Sequence, residues 1–280
     1  MTKLLETGLY RLIEGRHGRF LANPQDRYMG KSMLTYGEFS EQEWTLLNQL
    51  IPNGGCVIEA GANMGCFTVP LAKKVGAGGL VYAFEPQLLV FQQLCATLAL
   101  NDLVNVQAFN AGCGDEPEWL NLIRTNPAVL NNFGGYSLEK LQAGQSETRV
   151  RVEKLDDAVD PPRLNLIKAD VEGMELATLR GADGLIRAFR PTLYLEAHAE
   201  DAPALIEHLQ ALDYDMHWHL PMMYNPANHF GEAKNIFGGT VSFNLLATAS
   251  ERKLDIKGAR KVSGPEDHPQ TWPKRTKDDD

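Results

Sequence analysis

The sequence predicts a doubly wound α/β fold, a mostly parallel seven-stranded sheet with helices on both faces. Two observations carry this. Short apolar runs that read as strands alternate with helical stretches, the pattern of consecutive βαβ units. In addition, Val57-Ile58-Glu59-Ala60 runs into Gly61-Ala62-Asn63-Met64-Gly65, and the next apolar run, Leu80-Val81-Tyr82-Ala83-Phe84, stops at Glu85. A strand, a glycine turn and a second strand closed by an acid form a crevice at the carboxyl edge of such a sheet.

The elements follow in order. Ser40 and Glu43 make a capping-box pattern, opening a helix with Trp44, Leu47 and Leu50 on its apolar side, and Pro52-Asn53-Gly54-Gly55 ends it. Strand one is Cys56 to Ala60, followed by a helix from about Gly65 to Val75. Strand two is Leu80 to Phe84, with a helix from about Leu88 to Leu100, and Val104 to Ala111 reads as strand three. The alternation then stops. Trp119 to Ile123 and Thr148 to Val152 form a β excursion between strands three and four, around an Asn-, Gly- and Ser-rich stretch expected to be a mobile loop. Leu164 to Ala169 resumes as strand four, and Thr192 to Ala197 is strand five, followed by a helix from Ala202 to Leu212. Met216 to Leu220 and Val241 to Ala247 are read as two final, antiparallel strands. The charged, Pro-containing tail from about Glu251 is expected to be disordered.

The chemistry of the glycine turn narrows the ligand. A pyrophosphate fingerprint reads G-x-G-x-x-G and faces two phosphates. Here Asn63 stands between Gly61 and Gly65, and Glu59 stands where a pyrophosphate would meet negative charge. A carboxylate suits a cationic ligand, and S-adenosylmethionine (SAM) has a sulfonium, an amino group and no phosphate. A dinucleotide, or a turn with no ligand, are the competing readings. Glu85 is placed to hold the ribose hydroxyls, with Pro86 shaping the adenine pocket. Glu59 and Asn63 lie near the methionine end, and Glu59 reads equally as a structural acid beneath the turn.

Composition fits an enzyme with a sizeable core, at 44% hydrophobic residues over 280. A formal charge of -9 argues against general affinity for nucleic-acid backbone. Cys56, Cys66, Cys95 and Cys113 have no C-x-x-C spacing and are expected to be reduced. No apolar run has the ~20 residues of a membrane span, and Lys3, Glu6 and Arg11 interrupt any signal-like segment, so a cytoplasmic location is expected.

Four segments in order carry a family resemblance: Tyr36-Gly37-Glu38-Phe39-Ser40-Glu41; Glu59 to Gly65 with Phe67-Thr68; Phe84-Glu85-Pro86; and Ile167-Lys168-Ala169-Asp170-Val171-Glu172-Gly173-Met174-Glu175 with Leu179-Arg180-Gly181-Ala182. The stretch from Tyr36 to about Ala249 resembles the FkbM family of SAM-dependent methyltransferases. Family members commonly carry Asp where this chain has Glu59. The resemblance implies a class I methyltransferase (Rossmann-like) fold, SAM as cofactor, and hydroxyl acceptors on sugars or secondary metabolites. It also implies that backbone at Gly112 and Cys113 meets the adenine edge. The division follows: residues 1–39 as an N-terminal lid or extension, 40–250 as the SAM-binding domain, 251–280 as the tail.

Methyl transfer to an alcohol requires alignment, exclusion of water and removal of a proton. Asp170 and Glu172, just past strand four, are candidates to accept that proton or hold the hydroxyl in line. Glu175 is read as a helix-dipole partner, and a solvated turn is the alternative for all three acids. Glu196 and His198 end strand five on one face, making His198 a second candidate base. His217 and His219 share a strand face, but no third ligand is evident, so no metal is expected. The polar loop from Pro221 to Gly239, with Tyr224, Asn225, Asn228, His229 and Asn235, reads as a lid or substrate wall. A small-molecule or glycan acceptor is expected, without nucleic acid or membrane partners. The rivals are an RNA or N-methyltransferase, a non-catalytic SAM-binding subunit, and a nicotinamide oxidoreductase.

Overall fold

The computed structural model of the protein describes residues 8–135, 147–252 and 259–272. The chain begins with a hairpin of β1 (Arg11–Gly15) and β2 (Gly18–Ala22), then α1 (Met29–Tyr36) and α2 (Glu41–Leu50). The first βαβαβ half follows as β3 (Cys56–Ala60), α3 (Thr68–Val75), β4 (Leu80–Phe84), α4 (Leu88–Leu100) and β5 (Val106–Phe109). The excursion comprises β6 (Gly112–Gly114), β7 (Glu118–Ile123) and β8 (Glu147–Lys154), with α5 (Leu155–Ala158) leading back. The second half is β9 (Leu166–Ala169), α6 (Glu175–Arg180), α7 (Asp183–Phe189), β10 (Thr192–Glu196), α8 (Ala202–Ala211), β11 (Tyr214–His219) and β12 (Asn244–Ala249). A two-residue strand, β13 (Arg260–Lys261), closes the edge.

The main sheet runs β13-β11-β12-β10-β9-β3-β4-β5. Strands β5, β4, β3, β9 and β10 are mutually parallel. Chain order reverses at the β3–β9 junction: the first half builds outward through β4 and β5, the second through β9 and β10. That switch point opens a crevice beyond the strand carboxyl ends. The strands read as unbroken apolar runs because both faces are covered. Ile58, Phe84, Ile167, Leu193 and Leu195 pack on the side of α7 and α8, and Val57, Val81, Leu166, Tyr194 and Leu246 on the side of α2 and α3.

Several expectations change. Among the described residues the sheet has eight strands, not seven, because β13 pairs with β11. Of the last two long strands only β12 opposes the parallel set; β11, antiparallel to β12, runs with it. Expected strand three is cut short. Asn110 donates to the carbonyls of Glu85 (2.9 Å) and Pro86 (3.1 Å), and the chain then leaves the sheet to pair Gly112–Gly114 with β8. Part of the expected disordered tail, at 253–258 and 273–280, lies outside the described residues, but 259–272 is ordered. Trp218 Nε1 donates to the Asp267 carbonyl at 2.8 Å, and His268, buried, packs edge-on against Trp218.

The loop expected to be mobile is likewise tied down where it is described, while 136–146 lies outside the described residues. The Asn131 carbonyl accepts from Arg27 N–H at 2.8 Å, and Asn131 N–H donates to Gln25 at 2.9 Å. The N-terminal segment is thus an integral wall. Its hairpin packs on α4, where Asn101 Oδ1 accepts from Arg19 N–H at 2.9 Å. The capping box is also altered. Ser40 adopts a left-handed conformation, φ 45°, and its hydroxyl donates to the Glu43 carboxylate at 2.5 Å rather than capping a backbone N–H.

Gly61 is required by close approach: φ is 83°, and a Cβ there would lie 1.9 Å from the Asp170 carbonyl oxygen. Gly76 has φ 67° but open space around it. Gly61→Ala is therefore expected to destabilise the protein by about 2–4 kcal/mol, against ~1 kcal/mol for Gly76→Ala. Urea unfolding of both variants checks this, and equal costs would remove the β3–β9 contact as the reason for the glycine.

Candidate active site

Two polar rows cross the sheet beneath the crevice. In the first, Glu59, Lys168 and Tyr194 are register partners on adjacent strands and point to one face. All three are buried, and α2 adds the buried Glu43 to the same face. Glu59 accepts from the Thr68 hydroxyl at 2.6 Å, and the Lys168 ammonium lies 3.3 Å from Asp170 Oδ2 and 4.6 Å from the centre of the Phe67 ring. Burial pulls the Lys168 ammonium down, but Asp170, Glu43 and Glu59 outweigh it and hold it charged, above its usual range. Burial also pushes Glu43 and Glu59 up to about 7, with Lys168 opposing it.

The second row lies where the strands end. Asn244 is the register partner of Glu196, and Asp170 follows β9 at the same edge. Beyond it lie Glu172, with φ 54°, and His198. His198 Nε2 is 3.9 Å from Glu172 Oε2 and 3.3 Å from Glu196 Oε2. The carboxylates of Glu172 and Glu196 push the imidazole up to about 11. Burial, with Asp170 nearby, pushes Glu196 up to about 8.

At the opposite side Glu85 ends β4, nearly buried. Its oxygens accept from backbone N–H groups of Asn63 (3.0 Å) and Gln87 (2.8 Å). Each oxygen keeps a further lone pair. Burial raises Glu85 to about 7, the two backbone N–H groups opposing it. Both sides open into one cavity of about 380 Å³, lined at one end by Glu85, Pro86 and Gly112 and at the other by Asp170, Glu172 and His198.

The sequence pattern of the family described as "Methyltransferase FkbM domain" matches residues 59–216, more than half of the chain. The chain belongs to the FkbM methyltransferase family. The matched span runs from the end of β3 into the first half of β11, and therefore takes in the candidate residues on both sides of the cavity. The chain is 30% identical over 151 residues to Methyltransferase 1 of Beauveria bassiana, covering 47% of this chain and 60% of that protein. It is 25% identical over 162 residues to Methyltransferase sdnD of Sordaria araneosa, covering 48% and 62%. The chain thus spans about three fifths of the length of these curated relatives. Among solved structures, the methyltransferase FkbM of Methylobacillus flagellatus KT is 20% identical, with a TM-score of 0.46 over 69% of this chain and 44% of that one.

The FkbM methyl donor is SAM, and this cavity fits it. The floor is acidic, as a sulfonium and an ammonium require, and Glu85 retains acceptor capacity for a diol. Gln87, whose Nε2 donates to the Phe133 carbonyl, leaves its buried Oε1 without a partner among the described residues at the cavity wall. That atom matches an amine or hydroxyl donor on the nucleoside.

Of the residues singled out from sequence, Gly61, Asn63, Glu85, Pro86, Gly112 and Cys113 line the cavity, as do Asp170, Glu172 and His198. Glu59 and Gly65 do not. Glu59 is a structural acid in the lower row, and Gly65, φ 96°, packs against α4. Glu175 accepts from the backbone N–H groups of Val171 (2.9 Å) and Gly173 (3.1 Å), so it braces the turn from within its own helix. His217 and His219 gather no third ligand among the described residues. His219 Nδ1 is 2.7 Å from the Tyr194 hydroxyl, and burial lowers it to about 4.

The long loop contributes differently from expectation. Met223 and Thr240 to Phe243 line the cavity, whereas Tyr224, Asn225, Asn228, His229 and Asn235 do not. These polar groups hold the loop: Asn225 Nδ2 donates to Glu38 at 2.7 Å, and Asn228 Nδ2 to the Glu232 carbonyl at 2.7 Å. The residues that sequence reasoning missed are Gln87, Asn244 and Glu43. Lys168 is also missed, although it gives a signal as a lone charge inside an apolar strand, and Glu43 reads only as a helix cap.

Glu85 sets a pH dependence with a definite sign. Its folded-state value of about 7 lies above the ordinary 4.5, so below pH 7 the free protein carries the acid form. Ribose hydroxyls donate to the ionised form, so SAM affinity is expected to rise about tenfold from pH 6 to 8, with proton release below 7. Calorimetry in buffers of differing ionisation enthalpy reads both effects. Glu85→Gln should lower affinity and flatten the profile; an unchanged profile would remove Glu85 as the ribose ligand.

Proposed function

We propose that the protein transfers the methyl group of SAM to a hydroxyl oxygen of a sugar or secondary-metabolite acceptor. The observation that carries this is Asp170. It faces the cavity across from the Glu85 end, at the switch point of the sheet, and its carboxylate is fixed 3.3 Å from the buried Lys168 ammonium. SAM supplies an electrophilic methyl carbon and a neutral thioether leaving group.

The chain's own residues supply alignment. Glu85 and Gln87 hold the nucleoside end, and the acidic floor formed by Glu43 and Asp170 favours a cation above it. Asp170 accepts a hydrogen bond from the acceptor hydroxyl and so orients an oxygen lone pair toward the methyl carbon. Positioning precedes deprotonation at this carboxylate, because an alcohol is a far weaker acid than a carboxylic acid; as the oxygen–methyl bond forms the hydroxyl becomes strongly acidic and its proton passes to Asp170. Glu172 and Glu196 hold the His198 imidazole from both sides and push it up to about 11 in the free protein, so it is not a free base there. Met223, Val241 and Phe243 provide apolar wall that excludes water from the acceptor side.

Asp170→Asn keeps the shape and removes the charge. It is expected to lower turnover by about 10²–10⁴-fold while SAM affinity stays within about threefold. Parallel titration with SAM, S-adenosylhomocysteine and NAD, followed by a radiolabel screen of sugar and polyketide hydroxyls, checks it. Binding of NAD alone would overturn the reading. Equal loss of SAM binding and turnover in Asp170→Asn would make Asp170 structural.

A further inference from the structure

The acceptor side of the cavity holds more negative charge than the proposed methyl transfer needs. Glu172, Glu196 and His198 bring two carboxylate oxygens and one imidazole nitrogen within 4.8 Å of one another, from two different strand ends. We propose that these residues form a divalent cation site, taking Mn²⁺ or a metal of similar hardness, which orients the acceptor's oxygen atoms beside Asp170. The inference rests on the acceptor-side reading given above.

The geometry suits a cation of this kind. Metal bonds of about 2.0–2.2 Å to nitrogen and oxygen place adjacent donors roughly 3–3.5 Å apart. His198 Nε2 and Glu196 Oε2 are already 3.3 Å apart, and the 3.9 Å to Glu172 Oε2 closes with a small side-chain shift. Glu172 and His198 are partly exposed and free to make it. One imidazole with two carboxylates favours hard-to-borderline ions over the soft ones that thiolates select. The ligands leave coordination positions open toward the cavity, where an acceptor carrying neighbouring oxygens would complete the shell.

A second observation comes from a different strand. Asn244 is only 4% exposed, lines the same cavity and is the register partner of Glu196, yet its Nδ2 has no hydrogen-bond partner among the described residues. Register partners on an antiparallel pair point to the same face with their Cβ atoms about 5 Å apart. The buried Glu196 Oε2 likewise has no hydrogen bond among the described residues beyond its ion pair with His198 at 3.3 Å. A buried amide without a partner, on the strand next to a carboxylate oxygen held only by the His198 imidazole, is costly unless something meets it from the cavity, and a cation there takes the place of the imidazole proton. A metal ion meets the carboxylate oxygen directly, and an oxygen ligand on that ion meets the amide donor. Glu59, although an acid on the same sheet face, is satisfied by Thr68 and does not reach the cluster.

The site is tested without acceptor or SAM. Calorimetric titration of the chelator-treated protein with MnCl₂, paired with the EPR signal of free Mn²⁺, should report one site per chain. His198→Ala, a half-exposed position that carries little risk to folding, should weaken Mn²⁺ at least tenfold while its SAM affinity and melting temperature stay unchanged. Glu196→Gln should do the same, and Asp160→Asn, exposed in the connection between α5 and β9 and absent from the cavity lining, should not. Absence of Mn²⁺ binding, or binding that survives His198→Ala, would overturn the metal site. SAM titration of the same samples separates that result from failure of the methyltransferase reading, which would appear instead as loss of SAM binding.

Discussion

The arrangement depends on one buried ammonium. Lys168 is 2% exposed, in the middle of the sheet, and an isolated charge there would cost several kcal/mol. Glu43 from α2, Glu59 from β3 and Asp170 beyond β9 surround it, with the Phe67 ring on one face. The ammonium thereby ties a helix, the first strand of the sheet and the turn after the fourth to a single point. Asp170 in turn is pressed against Gly61, whose N–H donates to Phe84 at 3.0 Å, so the tie extends to the end of β4 and to Glu85. Donor-side and acceptor-side residues are held in register through that chain of contacts.

Three carboxylates around one ammonium leave an excess of negative charge, and the protein accommodates it by holding protons. Burial raises Glu43, Glu59 and Glu85 to about 7, so near neutrality each is partly protonated. A cationic ligand in the cavity offers the counter-charge that water cannot supply there. The binding energy of such a ligand is therefore partly stored in the free protein as the cost of its own unneutralised acids. A phosphate-bearing cofactor would meet the opposite penalty.

Much of this was legible in the sequence where a residue's role is set by its own strand. Glu85, Gly61 and Asn63 stand at strand ends, and a strand end in a doubly wound sheet opens on the crevice. Roles set by a neighbouring strand were not legible. Glu43 reads as half of a capping box, and it does accept from Ser40, but its importance comes from facing Lys168. Asn244 and Gln87 belong to no motif, and only the β10–β12 register puts Asn244 beside Glu196. The excursion failed at its boundary for a similar reason: the side chain that ends β5, Asn110, is held by carbonyls from the β4 turn. The tail was misjudged because composition weighs its charges and prolines, while its order rests on His268, Asp267 and Trp272 docking on Trp218 and Arg260.

The cavity is built asymmetrically, and that has a consequence for specificity. The nucleoside end is made from turns fixed directly by the sheet. The acceptor wall is made from the N-terminal segment and the loop before β12, elements without strands of the main sheet between them. Buried Glu38 joins these two: one carboxylate oxygen accepts from Arg16 at 2.6 Å and from His229 N–H at 2.8 Å, the other from Asn225 at 2.7 Å. Tyr36 adds a second link, accepting from Ile236 N–H and donating to the Lys234 carbonyl, both at 2.8 Å. The wall is therefore braced within itself, and its hairpin is tied to α4 through Thr97 and Asn101. Tyr28, Met223 and Val241, which it presents to the cavity, can change without touching the Lys168 network. Acceptor choice and donor binding are in this sense physically separate, and a single scaffold can hold the same methyl donor against differently shaped alcohols.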